Sequence, residues 1–172
     1  EHYATGTRLQ DAETWRPTER FIVNQERIWL DPLPSVFSGL RIVQISDIHH
    51  GLFLPKEWLS EAVQQANRLN PDIIALTGDF VTYSRRNINP AAEILGRLRA
   101  RYGVFAVLGN HDFRVDADSI TQALRRQRID VLRNRHISLG FGGASLYLAG
   151  VDDYGYGADL RRAVRGIPQD AA

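Results

Sequence analysis

Cysteine and methionine are both missing from this 172-residue chain. Without cysteine there are no disulfides, no thiolate zinc sites and no cysteine nucleophile, and the compartment stays open. A chain that starts at Glu1 with no methionine is not a raw translation product, and its "GIPQDAA" end offers no closing strand or capped helix. A trimmed or internal piece is the expectation. Long apolar runs are absent too: nothing approaches the roughly 18–20 residues of a spanning helix, and no signal-peptide pattern is present. Nor does one sign of charge dominate. Lys and Arg total 21 against 20 Asp and Glu, a net charge of +1 that gives no reason to expect nucleic acid or an acidic membrane surface.

What is present is an ordinary globular composition, 44% hydrophobic and 24% charged, at a length suited to one core. Residues 1–20 are polar and aperiodic and read as an N-terminal arm, leaving 21–172 as the domain. "FIVNQERIWL" (21–30) suggests a hairpin or two short edge strands. From residue 40 the chain alternates. Strands are expected over 40–46, 72–78 and 104–109, and helices over 55–70, 89–103 and 116–129. In the second helix Pro90 suits the first turn and Gly103 the C-terminal cap. A hairpin over 138–150 and a short helix over 158–166 follow. Strand–helix–strand alternation with apolar strands predicts an α/β layered domain with right-handed crossovers and a largely parallel central sheet.

Each apolar strand ends in a polar cluster: Asp47-Ile48-His49-His50, then Gly78-Asp79, then Gly109-Asn110-His111-Asp112. In open parallel sheets the carboxyl ends of the strands form the binding crevice, so these clusters should meet. Carboxylate, imidazole and amide oxygen together suit a divalent cation such as Mn²⁺, Fe²⁺ or Zn²⁺. Neighbouring aspartates would repel without one. A carboxylate can also bridge two ions roughly 3.5–4 Å apart, which makes a two-metal site plausible.

"SDIHHG", "TGDFV" and "LGNHD" resemble, in order and spacing, the first three motifs of the calcineurin-like metallophosphoesterase superfamily. The likeness covers roughly residues 40–155, and the wider strings look most like the YkuE- or YaeI-type phosphodiesterase branch. It implies that Asp47 and His49 bind a first metal, that Asp79 bridges two, and that Asn110 binds the second. It makes His111 the catalytic histidine, Asp112 its orienting partner, and a metal-bound hydroxide the nucleophile. The implied activity is hydrolysis of a phosphodiester, pyrophosphate or phosphomonoester bond, with a phosphate-ester small molecule as partner, lipid-linked or nucleotide-sugar in kind. Members of that branch are often membrane-associated, and no nucleic acid is implied.

The chain also departs from the family pattern. Thr82 stands where an aspartate is frequent, at a position that is usually no direct ligand. The family's later histidine and its GHxH motif have no counterpart, since His136 is the one histidine after His111. The expectation is therefore a partial metallophosphoesterase domain lacking the C-terminal half of the family fold, with weak or partial metal occupancy, little turnover and an exposed sheet edge. The competing reading is a non-catalytic fragment or interaction domain that keeps the fold without those ligands. His50 reads as a packing or rim residue, His136 as a surface strand residue, and "GFGGAS" as a hairpin turn. Arg85, Arg86 and Arg114 follow the motifs and read as solvated surface residues, with contact to a substrate phosphate as the lesser alternative.

Overall fold

The computed structural model describes residues 21–30, 33–51 and 54–168. The expected arm over 1–20 lies outside the described residues. The chain divides into two compact units, residues 1–33 and residues 34–172. In the first unit, residues 21–30 form no strand, which corrects the hairpin expected there. A two-stranded hairpin is marginal in water unless further strands or a helix cover its apolar face. Here Ile22, Ile28 and Trp29 stay exposed.

The second unit is built on a parallel sheet of β1 (Ile42–Ile45), β2 (Ile73–Leu76), β3 (Val104–Ala106) and β4 (Asp130–Val131), in the order β1-β2-β3-β4. Three helices connect them: α1 (Lys56–Arg68), α2 (Ile88–Leu95) and α3 (Asn110–Arg126). Consecutive strands stay neighbours, so crossovers of one hand place all three helices on one face. Ile74, Leu76, Val104, Ala106 and Val131 bury against that helical layer. The alternate residues Ile73 and Phe105 point to the other face. There Ile137, Leu139, Leu146 and Leu148 of the hairpin β5 (Arg135–Phe141) and β6 (Ala144–Gly150) cover them. The strands are apolar on both sides because both faces are covered. β1 is the exception, an edge strand whose Ile42 is exposed.

Several element boundaries differ from expectation: the hairpin begins at Arg135, the last helix spans only Leu160–Ala163, and two longer helices shift. The helix expected over 89–103 stops at Leu95, because Arg101 and Tyr102 already donate to Pro71 and Asp72 at the head of β2. Gly103, at φ +126°, belongs to the turn into β3 and not to a helix cap. The third helix begins at Asn110, ahead of the expected 116, and is interrupted at an extended Asp116. That aspartate caps the longer stretch: it accepts the Ser119 N–H at 3.0 Å and the Ser119 hydroxyl at 2.7 Å. Those two bonds, with Arg85 beside it, hold its carboxyl below the usual range. The turn at Gly142-Gly143 has φ of +50° and +88°, the geometry that tight hairpins select.

Candidate metal centre

The three motif loops leave neighbouring parallel strands at the same end of the sheet, and backbone hydrogen bonds keep them in register past the strands. Asp47 N–H donates to Gly78 O at 3.2 Å, His49 N–H to Asp79 O at 2.8 Å, and His50 N–H to Phe80 O at 2.9 Å. Asp47, His49 and Asp79 take left-handed φ values of 54°, 47° and 55°. Such a conformation costs an ordinary residue roughly 1–2 kcal/mol. It persists where the surroundings over-determine it, which is a frequent property of functional loops.

Glycine makes the close approach of the second and third loops possible. A Cβ on Gly78 would collide with the backbone of Gly109, whose Cα lies 2.8 Å away. A Cβ on Gly109 would collide with the Asp79 carboxylate, whose Cγ lies 2.7 Å away. Neither position has room for a side chain.

Asp79 works in two directions. Its Oδ1 accepts the His111 N–H at 2.9 Å, placing a carboxylate on the positive N-terminus of α3. Its Oδ2 lies 3.7 Å from His49 Nε2. Asp47 Oδ1 approaches the same nitrogen at 3.8 Å, from a side chain 70% exposed. The His49 and His111 rings meet edge to face with centroids 4.9 Å apart. One potential ligand atom from each of His49, Asp79 and His111 lies within 4.8 Å of the others. Asn110 opens α3 beside His111 and is half-buried.

These donors fit a divalent cation. The three that converge are two imidazoles and a carboxylate from three separate loops, with a second carboxylate alongside. Mn²⁺, Fe²⁺ and Zn²⁺ all accept that donor set. The other ring nitrogen of His49 meets a fixed partner, Thr82 Oγ1, at 3.0 Å. Metal-binding histidines are ordinarily oriented in this way.

Asp112 is fully buried. Expected to orient His111, its carboxylate here gathers backbone donors: Asp79 N–H at 2.8 Å, Phe80 N–H at 2.9 Å, Gly109 N–H at 3.0 Å and, more weakly, Val81 N–H at 3.4 Å. It ties the second loop to the third, beside the His49, Asp79 and His111 cluster. Burial pushes its carboxyl up to about 6, against the pull of those N–H groups and with a small further rise from Asp79. The carboxylate is still the main form at neutral pH.

Four residues in and around these loops have no role in the sequence reading: Thr82, Arg133, Phe113 and Asn134. Thr82 meets His49 without being a ligand itself. Arg133, in the corner between β4 and β5, grips Asp152 with Nε and Nη2 at 3.1–3.2 Å, meets Asp118 at 3.1 Å, and lies 5.1 Å from the centroid of Phe113. Phe113, two residues beyond His111, stacks on Tyr156 at 4.7 Å. Asn134 accepts N–H groups from Asp152 and Asp159, closing the segment after β6 onto the same corner. None of these carries a motif; only the pairing of acid and base in an α/β corner hints at them. His50 is buried, with Nδ1 3.0 Å from Leu54 O, as a packing residue should be. His136 faces Ala163 O at 2.7 Å from strand β5. Arg85 pairs with Asp116 at 3.3 Å.

A parallel α/β layered domain with imidazole and carboxylate side chains gathered at the carboxyl ends of its strands has the architecture of the metal-dependent phosphoesterases. The chain belongs to the calcineurin-like phosphoesterase family, whose sequence profile matches residues 40–159. It is 32% identical over 149 residues to a transmembrane protein with metallophosphoesterase domain from Danio rerio, covering 80% of this chain and 34% of the relative. It is 29% identical over 133 residues to an uncharacterized metallophosphoesterase of Campylobacter jejuni, covering 76% and 36%. It is 40% identical over 85 residues to the UDP-2,3-diacylglucosamine pyrophosphatase LpxG of Chlamydia muridarum, covering 47% and 26%. The chain thus spans about a third of the length of the first two of these relatives and about a quarter of the third. Among the described residues no helix is long and apolar enough to cross a membrane.

Proposed function

We propose that this domain hydrolyses a phosphodiester or pyrophosphate bond at a two-metal site, in the manner of the YkuE- or YaeI-type branch. The observation that carries the reading is the convergence of His49, Asp79 and His111, three residues from three strand-end loops, within ligand distance of one another. Asp47 and His49 would hold one cation and Asn110 the other. Asp79, with one oxygen towards His49 and one accepting the His111 N–H, would serve both. Bound divalent cations supply a water activated near neutral pH and neutralise charge on the phosphoryl oxygens.

The chain's own residues do the rest. His111 faces the space shared with His49 and Asp79, where it can donate a hydrogen bond to a phosphoryl oxygen or a proton to the leaving group. Asp112 fixes the two loops that carry Asp79 and His111, so that geometry is set before substrate arrives. The LpxG name of one relative supports a pyrophosphate bond in a lipid-linked or nucleotide-sugar substrate, and the Danio rerio name supports a membrane setting for the whole protein.

The test is Mn²⁺-stimulated hydrolysis of bis-p-nitrophenyl phosphate, with a phosphomonoester and a dinucleoside pyrophosphate in parallel. Asp79→Ala should abolish the metal-dependent rate. Turnover that survives this substitution would sink the reading. A wild-type chain that takes up no Mn²⁺ and turns over none of the three would favour a non-catalytic interaction domain.

A further inference from the structure

A histidine that gives Nε2 to a cation needs that nitrogen's lone pair free, so the ring proton must sit on Nδ1. In His49, Nε2 is the atom facing the acidic side chains, 3.7 Å from Asp79 Oδ2 and 3.8 Å from Asp47 Oδ1. Nδ1 faces the opposite way, onto Thr82 Oγ1 at 3.0 Å. Thr82 lies three residues beyond Asp79, on a loop whose backbone is already fixed to the His49 loop by the His49 and His50 N–H bonds. Its β-branch narrows the choice of χ1 and keeps the hydroxyl in place.

We propose that Thr82 is a positioning residue for the metal ligand His49. Its hydroxyl oxygen accepts the Nδ1–H, selects the tautomer with a free Nε2, and stops the ring rotating away from Asp79. This rests on the metal reading of the site and deepens it. Position 82 is usually no direct ligand in the family pattern. The geometry makes it the outer support of a ligand, and a neutral hydroxyl is a weaker acceptor for the Nδ1–H than a carboxylate. This chain accordingly holds metal through His49 less tightly than it would with an acid at position 82.

The experiment is Mn²⁺ titration by calorimetry on the wild-type chain and three variants, with melting temperature in chelator as a parallel readout. Thr82→Val keeps the shape and removes the acceptor; affinity should fall about 10–100-fold, while Thr82→Ser stays within about threefold of wild type and Thr82→Asp binds more tightly. The metal-free melting temperatures of Thr82→Val and Thr82→Ser should match that of wild type. In Zn²⁺-loaded, ¹⁵N-histidine-labelled protein, the His49 Nδ1–H signal should be protected in wild type and Thr82→Ser and exchange-broadened in Thr82→Val. Unchanged Mn²⁺ affinity in Thr82→Val, with wild type binding normally, overturns this inference alone. Equal losses in the valine and serine variants, with lowered metal-free melting, reduce Thr82 to a structural role and overturn it as well. Absence of Mn²⁺ binding in wild type overturns the metal reading and this inference with it.

Discussion

Asp112 and Gly109 show how far single atoms decide this site. In metal-free protein, Asp112 binds its proton more tightly folded than unfolded, because burial raises its carboxyl from 3.8 to about 6. The resulting contribution to stability is fully present below pH 4 and is lost as pH rises through about 6, with a ceiling near 3 kcal/mol for two pKa units. Urea unfolding in chelator across pH 4–7 should show that decline. Asp112→Asn should flatten it, while lowering stability near pH 7 by about 1–3 kcal/mol because one amide group must face a backbone N–H. Gly109→Ala tests a different atom. Its new Cβ would meet the Asp79 carboxylate head-on, so the loops must part. The expected outcome is a folded chain with Mn²⁺ affinity reduced at least about tenfold, the loss that follows even when only an outer partner of a ligand is displaced. Affinity equal to wild type would mean that the loops can yield without moving Asp79.

At the scale of elements, the corner between β4 and β5 acts as a clasp. Arg133 and Asn134 hold the segment 152–159 through Asp152, Asp159 and Gly157, and Arg133 also reaches Asp118 and the Phe113 ring on α3. Asp152 is buried, and the paired charges raise the already high pKa of Arg133 further. Arg133→Met should cost about 2–3 kcal/mol, below the 3–5 of a fully enclosed pair because Arg133 is 31% exposed. Hydrogen exchange should show the amides of Asp152 and Asp159 losing protection before those of β2 and β3; uniform loss across the sheet would place the effect in the core. This clasp also marks the limit of what the chain order reveals. The parallel strands, the connecting helices and the gathering of His49, Asp79 and His111 follow from apolar periodicity and from polar residues at strand ends. Arg133–Asp152 and His49–Thr82 join residues 19 and 33 apart with no period linking them. Likewise, α3 starts early because Asp112 accepts the Gly109 N–H across the first turn, a capping contact that a loop reading of "GNHD" concealed.

At the scale of the molecule, core and metal centre should be separable as sources of stability. The larger part of the core lies between the helices and the sheet, with Leu76 fully buried three residues before Asp79. Leu76→Ala should lower metal-free stability by about 2–5 kcal/mol through lost contacts and a residual cavity. The loops after β2 should still be held by their own hydrogen bonds, to Asp112 and between neighbouring strands. The variant should therefore keep most of its response to Mn²⁺. A ligand that binds only the folded state stabilises by about 2.7 kcal/mol at a hundredfold excess over its dissociation constant. For a chain of this size that raises the melting temperature by about 5–10 °C. Wild type and Leu76→Ala should both show that rise from their different starting points. Asp79→Asn should start near wild type and show little rise, since it keeps the shape of the loop and removes the charge that faces the cation. A Mn²⁺ response in Asp79→Asn equal to that of wild type would place the ion elsewhere. Its loss in Leu76→Ala would show that the ligand loops depend on the core for their geometry more than on Asp112.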